Sequence, residues 1–153
     1  FEGRVDRIER RGETIAILDY KTGSDAARVR INFRNLNPAD RDSWEGAIGS
    51  LQLPLYMMLC AEGLGAPLDK IQPCYLFLGT TELSEQIEQG LGDESRTAAE
   101  AYHLVEPVIL GLAREIRDIG VPFRPPADLK RSCPGCAYAP LCGTQWTAVG
   151  EER

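Results

Sequence analysis

The sequence predicts an α/β fold in which a central mixed β-sheet is flanked by helices. Two segments near the start alternate apolar and polar residues around a glycine, and an apolar run over residues 71–79 has the length of a strand. Apolar residues recur at helical spacing over residues 50–63 and 95–119. The length of 153 residues and the hydrophobic content of 43% favour one domain spanning residues 1–153.

The first element is a predicted β-hairpin made of residues 3–10 and 13–21. Gly12 lies in the break between them and can adopt the positive φ angle of a tight turn. A turn centred on Arg11 and Gly12 pairs residues whose numbers sum to 23. The sequence therefore predicts two antiparallel strands in this register.

Two carboxylates and an ammonium group share one face of this predicted hairpin. Asp6 and Asp19 are diagonal neighbours across the strands, with their α-carbons about 7–8 Å apart. Lys21 lies two residues after Asp19 on the same face. A hard divalent cation would neutralise the two acids. Three isoleucines on that face favour a partly covered metal site for phosphodiester hydrolysis. The alternative is a solvated hairpin surface.

These residues also resemble a known family. Gly3–Asp6 followed by Leu18–Gly23 is similar to the core of the PD-(D/E)XK nucleases, in particular the RecB-type nuclease domains of bacterial helicase-nucleases. The resemblance implies a restriction-endonuclease-like core. It also implies that Asp6 and Asp19 bind Mg²⁺ or Mn²⁺ and that Lys21 is catalytic. The Tyr20 carbonyl is expected to be a third metal ligand.

The charge distribution bears on whether the partner is a nucleic acid. The net charge of −6 argues against phosphate binding, but residues 1–34 carry eight basic and six acidic side chains, a balance of +2. Residues 24–42 are predicted to form a loop with one short strand. Arg28, Arg30 and Arg34 in this loop are candidates for DNA backbone contacts, and the alternative is a solvated loop.

A helix is predicted over residues 50–63, with Ser50 as its N-cap and Pro54 in its first turn. Its predicted buried stripe consists of Leu51, Leu55, Met58 and Leu59. Gln52 and Tyr56 are four residues apart and lie on one helical face. Taken alone they are ordinary polar helix residues. Gln-x-x-x-Tyr is also a motif of RecB-type nucleases, and the resemblance implies that both line the DNA-side cleft as site residues.

The second half of the chain supplies two more strands and a long helix. Residues 71–79 read as a buried strand with Pro73 early in it or at an edge, and residues 82–89 as a polar partner strand. A helix is predicted over residues 95–119 with a kink or break near Pro107. Its expected apolar stripe is Val105, Val108, Ile109, Leu112 and Ile116.

Cys133, Cys136 and Cys142 fall within ten residues of one another. The alternatives to metal binding are free buried thiols or disulfides, although five cysteines is an odd number. The spacing matches neither ferredoxin clusters nor paired zinc units. Iron–sulfur RecB-type nucleases, including AddB-type subunits, have this spacing, and the resemblance implies a structural 4Fe–4S cluster. Its fourth ligand is expected outside the chain, with Cys60 and Cys74 as packing residues.

The sequence thus predicts a metal-dependent hydrolase of DNA phosphodiester bonds, an exonuclease-type domain acting in DNA repair or recombination. The expected partners are DNA and a helicase or ATPase module. The expected location is the cytoplasm, and no membrane-spanning segment is expected. The chain begins inside a strand-like pattern, so we expect it to be a fragment that lacks an upstream helical part. The activity is expected in the full-length parent protein. The competing hypotheses are a catalytically inactive DNA-binding iron–sulfur scaffold and a small zinc-binding domain.

Overall fold

The structure, a computed structural model, describes residues 2–79, 87–122, 124, 126 and 128–144. The chain divides into two compact units, Phe1–Leu112 and Ala113–Arg153. The first unit holds the sheet and its core.

The sheet of the first unit is mixed, as predicted. Its strands are β1 (Arg7–Arg11), β2 (Thr14–Lys21), β3 (Ile71–Phe77) and β4 (Glu88–Gly90), in the spatial order β1-β2-β3-β4. The β1/β2 and β3/β4 pairs are antiparallel, and the β2/β3 pair is parallel. A parallel pair needs a crossover connection. The segment between β2 and β3 provides it with two helices, which confirms an α/β fold of the restriction-endonuclease-like type.

The helices of the described residues vary in length. They are α1 (Arg41–Ala47), α2 (Gln52–Leu64), α3 (Ala98–Arg117), α4 (Leu129–Ser132) and α5 (Ala139–Cys142). None of them has the length and apolar character needed to cross a bilayer. The long helix α3 continues through Pro107 without the predicted break. Three residues of its predicted stripe, Val105, Val108 and Ile109, are buried.

The hairpin register differs by two residues from the predicted one. Arg11 pairs with Thr14, and the paired residue numbers sum to 25. Gly12 has φ of 63° and is the first of the two loop residues. Glycine at that position is typical of a type II′ turn, which places the turn one residue later. Because the shift is even, it leaves the predicted side-chain faces unchanged.

The loop predicted over residues 24–42 contains more structure than expected. A single 3₁₀ turn covers Ala26–Val29, and Ile31 forms an isolated bridge with Ile48. The helix α1 begins at Arg41 and was not predicted, because it is short and buries little besides Trp44.

The buried face of α2 is not the predicted one. Its most buried side chains are Leu53, Tyr56, Met57 and Cys60. The predicted stripe of Leu51, Leu55, Met58 and Leu59 is only partly buried, and its first three members pack against the core. The sequence of α2 is apolar almost all round, so periodicity does not identify the face that meets the sheet.

The strand predicted over residues 82–89 is present in part. The strand β4 pairs with Cys74–Leu76 of β3, which makes β3 an interior strand of this sheet. Pro73 therefore lies early in the strand, not at an edge. Residues 80–86 lie outside the described residues.

Candidate active site

Asp19 and Lys21 lie at the C-terminal end of β2, where this interior strand leaves the core. The residues before them, Ala16–Leu18, are fully buried. Asp19 is 4% exposed, an unusual position for a carboxylate. Lys21 lies two residues further on the same face, and its Nζ is 2.5 Å from Asp19 Oδ2. A buried carboxylate needs such a partner to remain charged.

Gln52, in the first turn of α2, joins the two charged groups. Its Nε2 donates to Asp19 Oδ1 at 2.6 Å, and its Oε1 accepts a hydrogen bond from Lys21 Nζ at 2.7 Å. Only one orientation of the amide satisfies both contacts, since carboxylates accept and ammonium groups donate. The helix α2 thereby holds the acid and the base of β2 in one arrangement.

Tyr56 lies one turn further along α2 and completes the same network. Its hydroxyl accepts from Gln52 Nε2 at 2.7 Å and donates to the Arg4 carbonyl at 2.7 Å, with Asp19 Oδ1 at 3.2 Å. Burial, followed by the charge of Asp19, raises the pKa of Tyr56. The phenol is therefore a neutral hydrogen-bonding group that ties the chain before β1 to the site.

Asp6 immediately precedes β1 and is exposed. Its Oδ2 accepts a hydrogen bond from the Tyr20 backbone N–H at 2.8 Å. Continuing the observed register by one pair would place Asp6 directly opposite Asp19, closer than the predicted diagonal. Asp6 thus lies at the same end of β2 as Asp19 and Lys21.

The donor set of this site suits one divalent cation held by few protein ligands. Asp19 Oδ2 is buried, and within the described part of the chain it meets Lys21 Nζ as an ion pair but accepts no hydrogen bond of normal geometry. A carboxylate oxygen with free lone pairs is a suitable ligand for Mg²⁺ or Mn²⁺. Within the described ranges, no group of three or more acidic, histidine or cysteine side chains forms a ready metal site. Mg²⁺ commonly retains several waters and needs only one or two protein carboxylates.

An open cleft adjoins Lys21 at the end of β2. It has a volume of about 460 Å³, and its lining includes Tyr20, Lys21, Gly23, Arg28 and Phe77. Arg28 forms an ion pair with Asp25 at 3.0 Å. Two cationic side chains, Lys21 and Arg28, therefore border the cleft together with the carboxylate of Asp25.

Tyr75 and Ser50 extend the site and were not predicted. Tyr75 pairs with Asp19 across the parallel β2/β3 ladder, and Lys21 Nζ lies 4.9 Å from its ring centroid. The Tyr75 hydroxyl donates to Ser50 Oγ at 3.0 Å. The sequence signal for Tyr75 is only its place in an apolar strand, because the pairing of β2 with β3 is not encoded locally.

The cysteine segment belongs to the second unit. Cys133 directly follows α4, Cys142 ends α5, and the Cys136 N–H donates to the Cys133 carbonyl at 3.0 Å. Cys133, Cys136 and Cys142 are half-buried free thiols, and the structure does not gather them into a ligand set. Cys60 and Cys74 are buried packing residues, as predicted, and burial raises the pKa of both thiols.

The family comparison agrees with this arrangement. The PD-(D/E)XK nuclease superfamily matches residues 1–143 of the sequence. The chain belongs to the PD-(D/E)XK nuclease superfamily. Members of this superfamily are generally nucleases acting on phosphodiester bonds, and they typically use Mg²⁺ or Mn²⁺. No curated protein and no solved structure matched the sequence.

The match spans every predicted site residue of this PD-(D/E)XK chain. Asp19, Lys21, Gln52 and Tyr56 are brought into direct contact, and Asp6 lies beside them. Their catalytic roles, and the role of the Tyr20 carbonyl as a ligand, stay predictions. The three cysteines also fall inside the matched range.

Proposed function

We propose that this chain is the metal-dependent DNA nuclease domain of a RecB-type, AddB-like protein. It would cleave DNA as an exonuclease during repair or recombination in the cytoplasm, together with a fused or partner helicase or ATPase module. The observation that carries the nuclease proposal is the contact of Gln52 with both Asp19 and Lys21. A carboxylate, an ammonium group and an amide converge there beside an open cleft.

The metal site of the proposed enzyme would comprise Asp19, Asp6 and the Tyr20 carbonyl. The bound Mg²⁺ or Mn²⁺ would act as a Lewis acid and lower the pKa of a water molecule. The Tyr20 backbone N–H already donates a hydrogen bond to the Asp6 carboxylate. Gln52 and Tyr56 contact Asp19 Oδ1, so the ion would bind at Oδ2, which Lys21 Nζ also contacts.

Lys21 supplies positive charge where the phosphate gains negative charge. In the hydrolysis, the water oxygen forms a bond to phosphorus while the bond to the leaving strand oxygen breaks, and that oxygen ends with a proton. Lys21 Nζ is within donor distance of Asp19 and Gln52 and borders the cleft. From there its ammonium group can orient the water and offset the developing charge.

The test of the nuclease proposal is a cleavage assay of the full-length protein on linear DNA with Mg²⁺ or Mn²⁺. Lys21→Met and Asp19→Asn preserve the shape of each side chain and should each reduce cleavage by about a hundredfold or more. Lys70→Met is the matched control, because Lys70 pairs with Glu13 and touches none of the site residues. It should cleave normally.

Cleavage retained by the folded Lys21→Met variant would overturn the assigned site. The absence of cleavage by the intact protein, tested on single-stranded, double-stranded and closed circular DNA, would instead support the inactive DNA-binding scaffold. Closed circular DNA also separates the exonuclease from an endonuclease, because only an endonuclease cuts it.

The second part of the proposal is a structural 4Fe–4S cluster on Cys133, Cys136 and Cys142, with one further ligand outside this chain. It is supported by the cysteine spacing alone, since the thiols are not gathered in the structure. Iron and sulfide analysis of protein purified without oxygen tests it. Cys136→Ser should lose iron while Cys60→Ser retains it, and stoichiometric zinc in place of iron would favour a zinc-binding domain.

A further inference from the structure

Tyr75 is a buried tyrosine placed directly beside the charged groups of the site. It is 3% exposed and pairs with Asp19 in the parallel β2/β3 register. Paired residues of neighbouring strands project to the same side of a sheet. The ring of Tyr75 therefore lies on the face that carries Asp19 and Lys21.

The ring of Tyr75 contacts the end of the Lys21 side chain. Lys21 Nζ lies over the ring, 4.9 Å from its centroid, at a distance typical of cation–π attraction. The same nitrogen contacts Asp19 Oδ2 and Gln52 Oε1. A lysine side chain has four flexible carbon atoms, so an ammonium group held from three sides loses most of its freedom.

The hydroxyl of Tyr75 reaches the beginning of α2. It donates to Ser50 Oγ at 3.0 Å. Ser50 Oγ in turn accepts from the Gln52 N–H at 3.1 Å. The hydroxyl thus fixes the turn from which Gln52 reaches Asp19 and Lys21.

We propose that Tyr75 is a positioning residue for Lys21. Its ring holds the ammonium group and its hydroxyl anchors the helical turn that carries Gln52. The kinetic consequence rests on the proposed nuclease function, whereas the contact itself does not. The two parts are separable, because phenylalanine keeps the ring and leucine removes both.

Side-chain NMR of the chain labelled with ¹³C and ¹⁵N at lysine tests the contact without any activity. The sequence has only three lysines, and Lys21→Arg identifies the Lys21 signal by removing it. The Lys21 Hε protons should resonate upfield of those of Lys70 and show a nuclear Overhauser effect to the Tyr75 ring. Tyr75→Phe should keep the upfield shift, and Tyr75→Leu should abolish it.

Steady-state cleavage kinetics test the positioning role. Tyr75→Leu should lower kcat roughly tenfold, the effect of one partly desolvated cation–π contact, with little change in KM. Tyr75→Phe removes only the hydroxyl and should lower kcat less than Tyr75→Leu does. Tyr102→Leu removes another buried tyrosine of the core, 4% exposed, and should leave kcat unchanged at a temperature where it is folded.

Three results would overturn the proposal. The first is a Lys21 signal in the unmutated chain that shows no upfield shift and no contact to the ring. The second is a loss of kcat in Tyr75→Phe equal to that in Tyr75→Leu, and the third is normal kcat in a folded Tyr75→Leu variant. If the unmutated protein cleaves no DNA, the nuclease proposal fails, while the NMR comparison still decides the contact.

Discussion

Gln52 meets two groups of opposite charge with the two ends of one amide. Its donor end contacts Asp19 and its acceptor end contacts Lys21. Neither glutamate nor leucine can make both contacts, since a carboxylate only accepts and a hydrocarbon does neither. Gln52 is therefore specified by the chemistry of its neighbours.

Gln52→Leu should lower cleavage by about one to two orders of magnitude, because Lys21 and Asp19 lose their shared partner. It should also lower the free energy of unfolding by roughly 1–3 kcal/mol, the cost of a buried hydrogen-bonding group left unsatisfied. Single-turnover cleavage and urea denaturation measure the two effects.

Gln72→Leu is the control for Gln52→Leu, because Gln72 is an exposed glutamine on β3. It should change neither quantity. Gln52→Glu places a second carboxylate against Asp19 and should impair cleavage through repulsion. A Gln52→Leu variant that cleaves at the normal rate would show that the contacts of Gln52 with Asp19 and Lys21 are structural only.

Residues that share a local spacing could be predicted, and residues that meet through distant pairing could not. Asp19 and Lys21 are two apart on a strand, and Gln52 and Tyr56 are four apart on a helix. Tyr75 and Ser50 join the site only because β3 lies parallel to β2. That register follows from the packing of the whole unit and has no local signature.

At the scale of elements, the end of β3 holds the chain that follows Lys21. The Leu78 N–H donates to the Lys21 carbonyl at 2.8 Å. A Cβ atom added at Gly79 would collide with the backbone of Thr22 and Gly23. The absence of a side chain at Gly79 therefore allows the two segments to meet.

Gly79→Ala should lower the free energy of unfolding by about 1–3 kcal/mol, because two backbone segments must separate. It should reduce cleavage as well, since Lys21 lies immediately before the displaced residues. Gly63→Ala is the control, because Gly63 lies inside α2 with open space around it. This variant should raise the free energy of unfolding by about 0.5–1 kcal/mol. Thermal and urea denaturation compare them, and equal stability changes in the two variants would contradict the argument.

The kinds of elements were more predictable than their exact pairing. The hairpin, the α2 helix and the β3 strand follow from periodicity and from glycine and proline positions. The register of the hairpin depends on which loop position Gly12 takes, and the buried face of α2 depends on what packs against it. The short helix α1 acquires its stability from Trp44, whose ring packs against Gly111 of α3.

Across the sheet as a whole, one ion pair links its two outer strands. Arg11 of β1 contacts both carboxylate oxygens of Glu88 of β4 at 2.7 Å. Arg11 also contacts Glu9, which pairs with Arg7. Arg11 lowers the pKa of Glu88, and the charged form is therefore favoured in the folded state.

Glu88→Gln should cost about 0.5–1 kcal/mol of unfolding free energy at neutral pH, since the pair is partly exposed. A lowered carboxyl pKa stabilises the fold above the unfolded value of 4.5, and this contribution disappears as the pH falls through the folded pKa. The difference between the two proteins should therefore shrink as the pH falls below 4.5.

A double-mutant cycle with Arg11→Met measures the coupling, with Arg10→Met as the neighbouring control. Coupling should weaken at high salt. A stability difference that stays constant as the pH falls well below 4.5 would assign the effect of Glu88→Gln to packing.

The hydrogen bonds of Gln52 to Asp19 and Lys21 also determine at which stage of folding the site can form. Asp19 and Lys21 lie on one strand, but the amide between them arrives with α2. An intermediate with a formed hairpin and an undocked helix would leave Asp19 solvated and Lys21 free to move. Such a species would carry Asp19 and Lys21 on the formed strand without the assembled site.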